Sequence, residues 1–189
     1  QSGVLAGRLL NFGLNDGDHA MVLNLDREVP GARHLQAKQQ GFKDFFDRVA
    51  PKNIGIHTAV FEAFDDPVQM KAWAVGQLEN NPRLKGFFVT NSRAYKLVEA
   101  LDDRLATQIK IVGFDLIEPN LRLLESNKIR FLINQNAWRQ GYLGVHSLVH
   151  HLILRKEIPS QQYLPLDIIV RENASYYLKK SLESPFAML

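Results

Sequence analysis

Apolar residues fall into two alternating patterns along this chain. Short runs rich in β-branched and aromatic residues occur at 19–25 (HAMVLNL), 53–60 (NIGIHTAV), 84–90 (LKGFFVT), 109–114 (IKIVGF), 130–134 (RFLIN) and 163–170 (YLPLDIIV). They read as strands. Segments with helical spacing lie between them. LQAKQQGFKDFFDRV sets Phe42, Phe45, Phe46 and Val49 on one face. DDPVQMKAWAVGQLEN opens on Asp65 and Asp66 as possible caps, has Pro67 in its first turn and stops at Asn80-Asn81-Pro82. SRAYKLVEALDDRL reads as a third helix. AWRQGYLGVHSLVHHLILRK carries Trp138, Tyr142, Val145, Leu148, Val149, Leu152 and Ile153 on one stripe, the clearest helix of all.

Strands separated by helices need crossover connections, so the expected fold is α/β, a parallel sheet with helices on both faces. Phe87-Phe88-Val89 and Ile168-Ile169-Val170 are apolar on consecutive residues. That pattern suits strands covered on both faces.

Composition narrows the picture little. The 189 residues are 46% hydrophobic and 23% charged, as in ordinary globular chains, and there is no cysteine. Disulfides, thiolate metal sites and a cysteine nucleophile are excluded. The net charge of +3 is scattered and gives no basic patch for nucleic acid. No apolar run reaches the ~20 residues of a bilayer crossing, so no membrane partner is expected. The chain lacks an initiator Met and opens inside the helix-like QSGVLAGRLLNFGL, so it reads as part of something longer.

In open parallel sheets, ligands bind beyond the carboxyl ends of the strands. The residues expected there are Asp26-Arg27-Glu28 before a Pro30-Gly31 turn, then Phe61, Glu62 and Phe64. Asn91 follows the third strand, Asp115 the fourth, and Gln135, Asn136 and Trp138 the fifth. A carboxylate accepts from two neighbouring hydroxyls, amides donate and accept, and aromatic faces pack on sugar C–H faces. The set suits a polyhydroxylated ligand. Loops of any α/β protein also begin with polar residues at these positions, so solvent-facing turns are the alternative.

Taken together, VTNSRAYKLVEAL, IKIVGFDLIEPN, FLINQNAWRQGYLGV and YLPLDIIVREN resemble the effector-binding domain of LacI-type transcription regulators, a fold shared with periplasmic sugar-binding proteins. The resemblance runs over about 1–173. It implies that Asp115, in VGFD, accepts bonds from ligand hydroxyls. Asn91 matches a polar residue of the family's N-D turn, with Ser92 replacing the aspartate. Lys38 falls where the family commonly has a ligand-gripping arginine, and offers a point charge instead of a planar fork. Gln135 matches a hinge-side residue, and Phe64 and Trp138 are candidates to stack on a sugar ring.

The resemblance further implies two subdomains. Residues 1–134 would form the C-terminal one, 135–170 the closing helix and strand of an incomplete N-terminal one, and 171–189 a return segment and tail. The expected function is ligand sensing in a cytoplasmic, homodimeric regulator. It would take a small-molecule effector, a sugar or sugar derivative. DNA would be reached only through a helix-turn-helix absent here, and the exposed stripe of the last long helix would invite dimerisation. A periplasmic solute-binding protein or a receptor's sensor domain would share the same cleft.

Other chemistry finds less support. His146 and His150 stand four apart with His151 following, but HSLVHH lacks the glutamate of the zinc-protease pattern. No Gly-x-Ser-x-Gly elbow and no glycine-rich phosphate loop is present, so neither a catalytic role nor a cofactor is expected. An α/β enzyme would need an acid/base pair, and Asp115 with Glu118 is the nearest pair of carboxylates.

Overall fold

The computed structural model describes residues 1–27 and 32–183, with side chains described to 177. The expected Pro30-Gly31 turn, Glu28 and the last residues of the tail lie outside the described residues. The helices are α1 (Ser2–Asn11), α2 (Arg33–Arg48), α3 (Pro67–Asn80), α4 (Ala94–Glu99), α5 (Asp103–Gln108), α6 (Glu118–Glu125), α7 (Ala137–Leu152) and α8 (Arg171–Glu183). The strands are β1 (His19–Asn24), β2 (Gly55–Val60), β3 (Leu84–Val89), β4 (Lys110–Phe114), β5 (Phe131–Asn134) and β6 (Asp167–Ile169).

The strands form one sheet in the order β2-β1-β3-β4-β5-β6. The first five are parallel and β6 runs antiparallel to β5. The inner strands β1, β3 and β4 are buried almost throughout and β5 at its two central residues, whereas β2 at one edge is largely open. Phe87, Phe88 and Val89 are fully buried, as consecutive apolar residues in a covered strand must be. Ile168 points to solvent because β6 is an edge strand, so the apolar run 168–170 is not buried on both faces.

Two cores cover the sheet. On one face Ala6, Leu9 and Leu10 of α1 and Phe42, Phe45 and Phe46 of α2 pack on Val22, Phe88, Val112 and Phe114. On the other, Met70 and Ala74 of α3, Leu97 of α4, Ala106 of α5, Leu121 and Leu124 of α6 and Ala174 of α8 pack on Leu23, Phe87, Val89 and Ile111. Each buried Phe or Leu contributes about 2 kcal/mol. Glycine makes the first core tight. A Cβ on Gly3 would overlap the backbone carbonyl of Lys38, so α1 and α2 touch backbone to backbone there.

Local chemistry sets the helix ends. Asp66 caps α3 by accepting from the N–H groups of Val68 and Gln69, with Pro67 in the first turn. The helix expected through 92–105 is two helices instead. Asp102 accepts from Leu105 N–H and starts α5 afresh. An aspartate that bonds the backbone three residues on competes with helix continuation.

The stretch expected as a strand over 163–170 forms only three residues of strand, and these return to the sheet of residues 1–134. Its antiparallel direction follows from the route. The chain leaves at the carboxyl end of β5, runs out along α7 and comes back down beside β5. Of the segment assigned to a separate subdomain, α7 stands apart. None of its residues is buried, and Val145, Leu148, Leu152 and Ile153 are more than half exposed.

Candidate functional site

The strand order places a topological switch between β1 and β3. From β1 the chain winds outward to β2, then crosses to the other side to make β3. Connections diverge at such a point, and open α/β sheets take ligands beyond the carboxyl ends of their strands there. Asn24 and Thr90, both fully buried, sit at that end, and Thr90 Oγ1 donates to Asn24 Oδ1 at 2.7 Å. Lys38 enters from α2. Its Nζ donates to the Thr90 carbonyl at 2.9 Å and lies 3.6 Å from the centre of the Phe114 ring. Only 7% of Lys38 is exposed. Burial pulls its ammonium down to about 8 from an ordinary 10.5, while the Asp115 carboxylate opposes the shift.

Asp115 follows β4 in the left-handed region, with φ 64°. Its N–H donates to the Ile133 carbonyl at 3.1 Å, and Gln135 Nε2 donates to its Oδ1 at 3.3 Å. One strand over, Asn136 is also left-handed, at φ 50°, and caps α7 by accepting from Arg139 N–H. Two adjacent strand ends thus turn on polar left-handed residues, a conformation Asp and Asn tolerate at a cost of about 1 kcal/mol or more. Asn91 Nδ2 donates to the Leu25 carbonyl at 3.0 Å, and Arg93 donates to the same carbonyl at 2.7 Å and to Asp26 at 3.2 Å.

Asn120 holds these loops in place. Its buried amide donates to the carbonyls of Ser92, Phe114 and Asp115 and accepts from Tyr95 N–H. It ties the loop after β3 to the loop after β4, and so sets Asn91 relative to Asp115. Its place in the first turn of α6, after Pro119, looks ordinary in the sequence. Only the tertiary approach of two loops gives it this role.

The structure therefore brings Asp115, Gln135, Lys38 and Asn91 to one end of the sheet. Phe64 lies at the β1/β2 side, nearly buried, under Arg93 (4.6 Å to the ring centre), Arg27 (5.3 Å) and Lys96 (5.7 Å). Asp65 pairs with Arg27 and Lys96, which hold its carboxyl below the usual range. This charged hollow measures about 360 Å³. A second, of about 410 Å³, opens between α7 and the returning segment, with Gln135, Gln140, Ser147 and Tyr163 among its walls. Trp138 is turned along α7 instead, its ring stacked on Tyr142 at 5.5 Å. Arg93, Asn24, Thr90 and Asn120 are site-building residues that sequence reasoning did not single out.

His146 and His150 have ring centres 4.1 Å apart. Among the described residues, no three His, Cys, Asp or Glu side chains gather as a metal cluster. Among the same residues, no helix is long and apolar enough to cross a membrane.

The carboxyl ends of β3, β4 and β5 thus carry two amides and a carboxylate, with a buried ammonium entering from α2. The chain belongs to the periplasmic binding protein domain family, whose model matches residues 1–156. It is similar to a protein from Bacteroides fragilis assigned as a LacI transcriptional regulator, with 28% identity, a TM-score of 0.80 and coverage of 94% of this chain and 61% of that one. It is similar to an ABC transporter solute binding protein from Agrobacterium vitis bound with α-D-tagatopyranose, at 25% identity and a TM-score of 0.78, covering 92% and 57%. A sugar-binding protein of a sugar ABC transporter from Bacillus halodurans shares 26% identity at a TM-score of 0.72, covering 93% and 62%. The chain spans about 60% of the length of these solved relatives. No curated protein gives a significant match.

Proposed function

We propose that this chain is the larger part of the effector-binding domain of a LacI-type transcription regulator and that its effector is a sugar or sugar derivative. The carrying observation is Asp115, held left-handed at the end of β4 beside Gln135 and within electrostatic reach of the Lys38 ammonium. In this reading Asp115 accepts two ligand hydroxyls, Gln135 and Asn91 donate and accept around the ring, and Lys38 sets a positive charge beside them. Phe64 and Trp138 would contact the sugar only after rearrangement, and they are the weakest members of the set. No cofactor takes part and no bond is made or broken. The effector acts by preferring one arrangement of two subdomains, and it shifts their equilibrium only by its differential affinity. DNA contact would fall to a segment outside these residues, in a cytoplasmic homodimer.

The second reading is a solute-binding protein of a sugar transporter, favoured by the Agrobacterium and Bacillus relatives. Both readings share the cleft and differ in the sequence joined to it. A helix-turn-helix upstream selects the regulator, and a signal peptide selects the transport protein. The site is tested by calorimetric titration of monosaccharides, tagatose first, into the full-length protein of the parent reading frame. Asp115→Ala should weaken binding by at least about tenfold, since hydroxyls lose a charged acceptor. Unchanged affinity in that variant would overturn the assignment of the site.

A further inference from the structure

At the opposite end of the sheet, three side chains that the sugar site does not use converge. His19 opens β1, His57 projects from the neighbouring β2, and Asn81 ends α3. His57 Nε2 lies 2.9 Å from His19 Nδ1, and Asn81 Nδ2 lies 3.0 Å from His19 Nδ1 and 3.2 Å from His57 Nε2. The three atoms form a nearly equilateral triangle. The backbone holds each corner. Parallel pairing sets His19 opposite Gly55 and His57 opposite Met21. His19 N–H donates to the Arg83 carbonyl, and Asn81 N–H to the Gln77 carbonyl. Gly55 makes room for the imidazole, since a Cβ there would come within 2.5 Å of His19 Cδ2.

Protons satisfy such a triangle poorly. The amide hydrogens diverge by about 120°, whereas two acceptors 2.9 Å apart and about 3 Å away subtend roughly half that angle. A single imidazole N–H shared with the other imidazole and with a turned amide oxygen leaves two acceptors about 3 Å apart with no proton between them. A cation resolves the conflict. Three cis ligands of an ion with bonds of about 2.1 Å sit about 3.0 Å apart, the edge of an octahedral face. The ends of an amide are nearly isosteric, so a half-turn of the Asn81 side chain puts Oδ1 in place of Nδ2. His57 is exposed, and His19 and Asn81 are partly so, which leaves the outer face open to water.

We propose that His19, His57 and Asn81 form a facial binding site for a divalent transition-metal ion of the Co²⁺, Ni²⁺ and Zn²⁺ class, clamping β1, β2 and the end of α3. Two imidazoles and an amide oxygen suit these ions better than Ca²⁺ or Mg²⁺.

The test is calorimetric titration of Ni²⁺ into the chain, repeated with His57→Thr, Asn81→Asp and a His146→Ala/His150→Ala double variant. Circular dichroism confirms the fold of each. Position 57 is on an exposed edge strand, where threonine keeps β propensity. One ion per chain is expected. His57→Thr should weaken binding about tenfold or more, as loss of a metal's supporting groups commonly does. Asn81→Asp should tighten it, and the α7 double variant should leave it unchanged. No saturable binding, or binding lost only with the α7 histidines, would overturn the proposal. Equal affinity in folded His57→Thr would do the same.

Discussion

α2 and α7 are both 16 residues long, and both are amphipathic. α2 buries Leu35, Lys38, Phe42, Phe45 and Phe46, whereas α7 buries nothing. Periodicity therefore reports that a helix has an apolar face. It does not report that the face has a partner in the same chain. α2 follows a central strand and lies on the sheet beside α1. α7 follows β5 past the sheet's end, and there its Val145, Leu148 and Leu152 meet no core.

The largest effect expected from this contrast lies on α2. Phe42 is fully buried, stacks on Phe88 at 5.1 Å and touches Phe46. Phe42→Ala should cost about 4 kcal/mol in denaturant unfolding. A cost below 1 kcal/mol would erase the distinction between the helices. Next is Asn120→Ala, which strands three carbonyls and an N–H between the loops of the site. A loss of about 3 kcal/mol is expected. Sugar affinity should fall as well, because Asn91 and Asp115 lose their relative placement.

Lys38 gives a pH signature. Its folded pKa, about 8, lies below the ordinary 10.5. Between those values the unfolded chain holds the extra proton, so raising the pH favours the folded state. Its contribution is unfavourable below pH 8 and fades toward pH 10.5, a change of about 3 kcal/mol. Urea unfolding of the wild type, compared with Lys38→Met across pH 7–10.5, isolates it. The variant should lack that rise, and parallel pH profiles would refute the burial of a charged amine. The smallest effect belongs to α7, where Leu148→Ala should change unfolding by no more than about 0.5 kcal/mol. Light scattering on Leu148→Glu should show less self-association than in the parent chain, if the bare face pairs with a second copy.

The alternation of strands and helices was legible because inner strands and sheet-facing helices bury their apolar residues within the chain. The place of Asp115 directly after a buried strand was legible because the apolar run ending at Phe114 stops there. β6 was misread in length and direction. Apolar residues at 164–166 lie along the returning segment, and nothing local encodes which way a strand enters a sheet. Lys38 was singled out by the resemblance, at a position where the family commonly has an arginine, but its burial depends on α1 and α2 closing at Gly3. Asn120 was invisible for a similar reason, since its four partners come together only when two loops fold. Trp138 was chosen for its ring, and the direction of α7 decides where that ring goes.

The sixth strand has a kinetic consequence. It is three residues long and pairs on one side only, with residues 33 to 37 positions away in sequence. Five strands can assemble before it arrives, because three residues paired on one side return little against the entropy of closing that loop. It should therefore be the last strand to dock and the first to peel under load. Amide hydrogens at the β5–β6 seam should exchange by local opening, while those of β1 and β3 wait for the whole sheet to come apart.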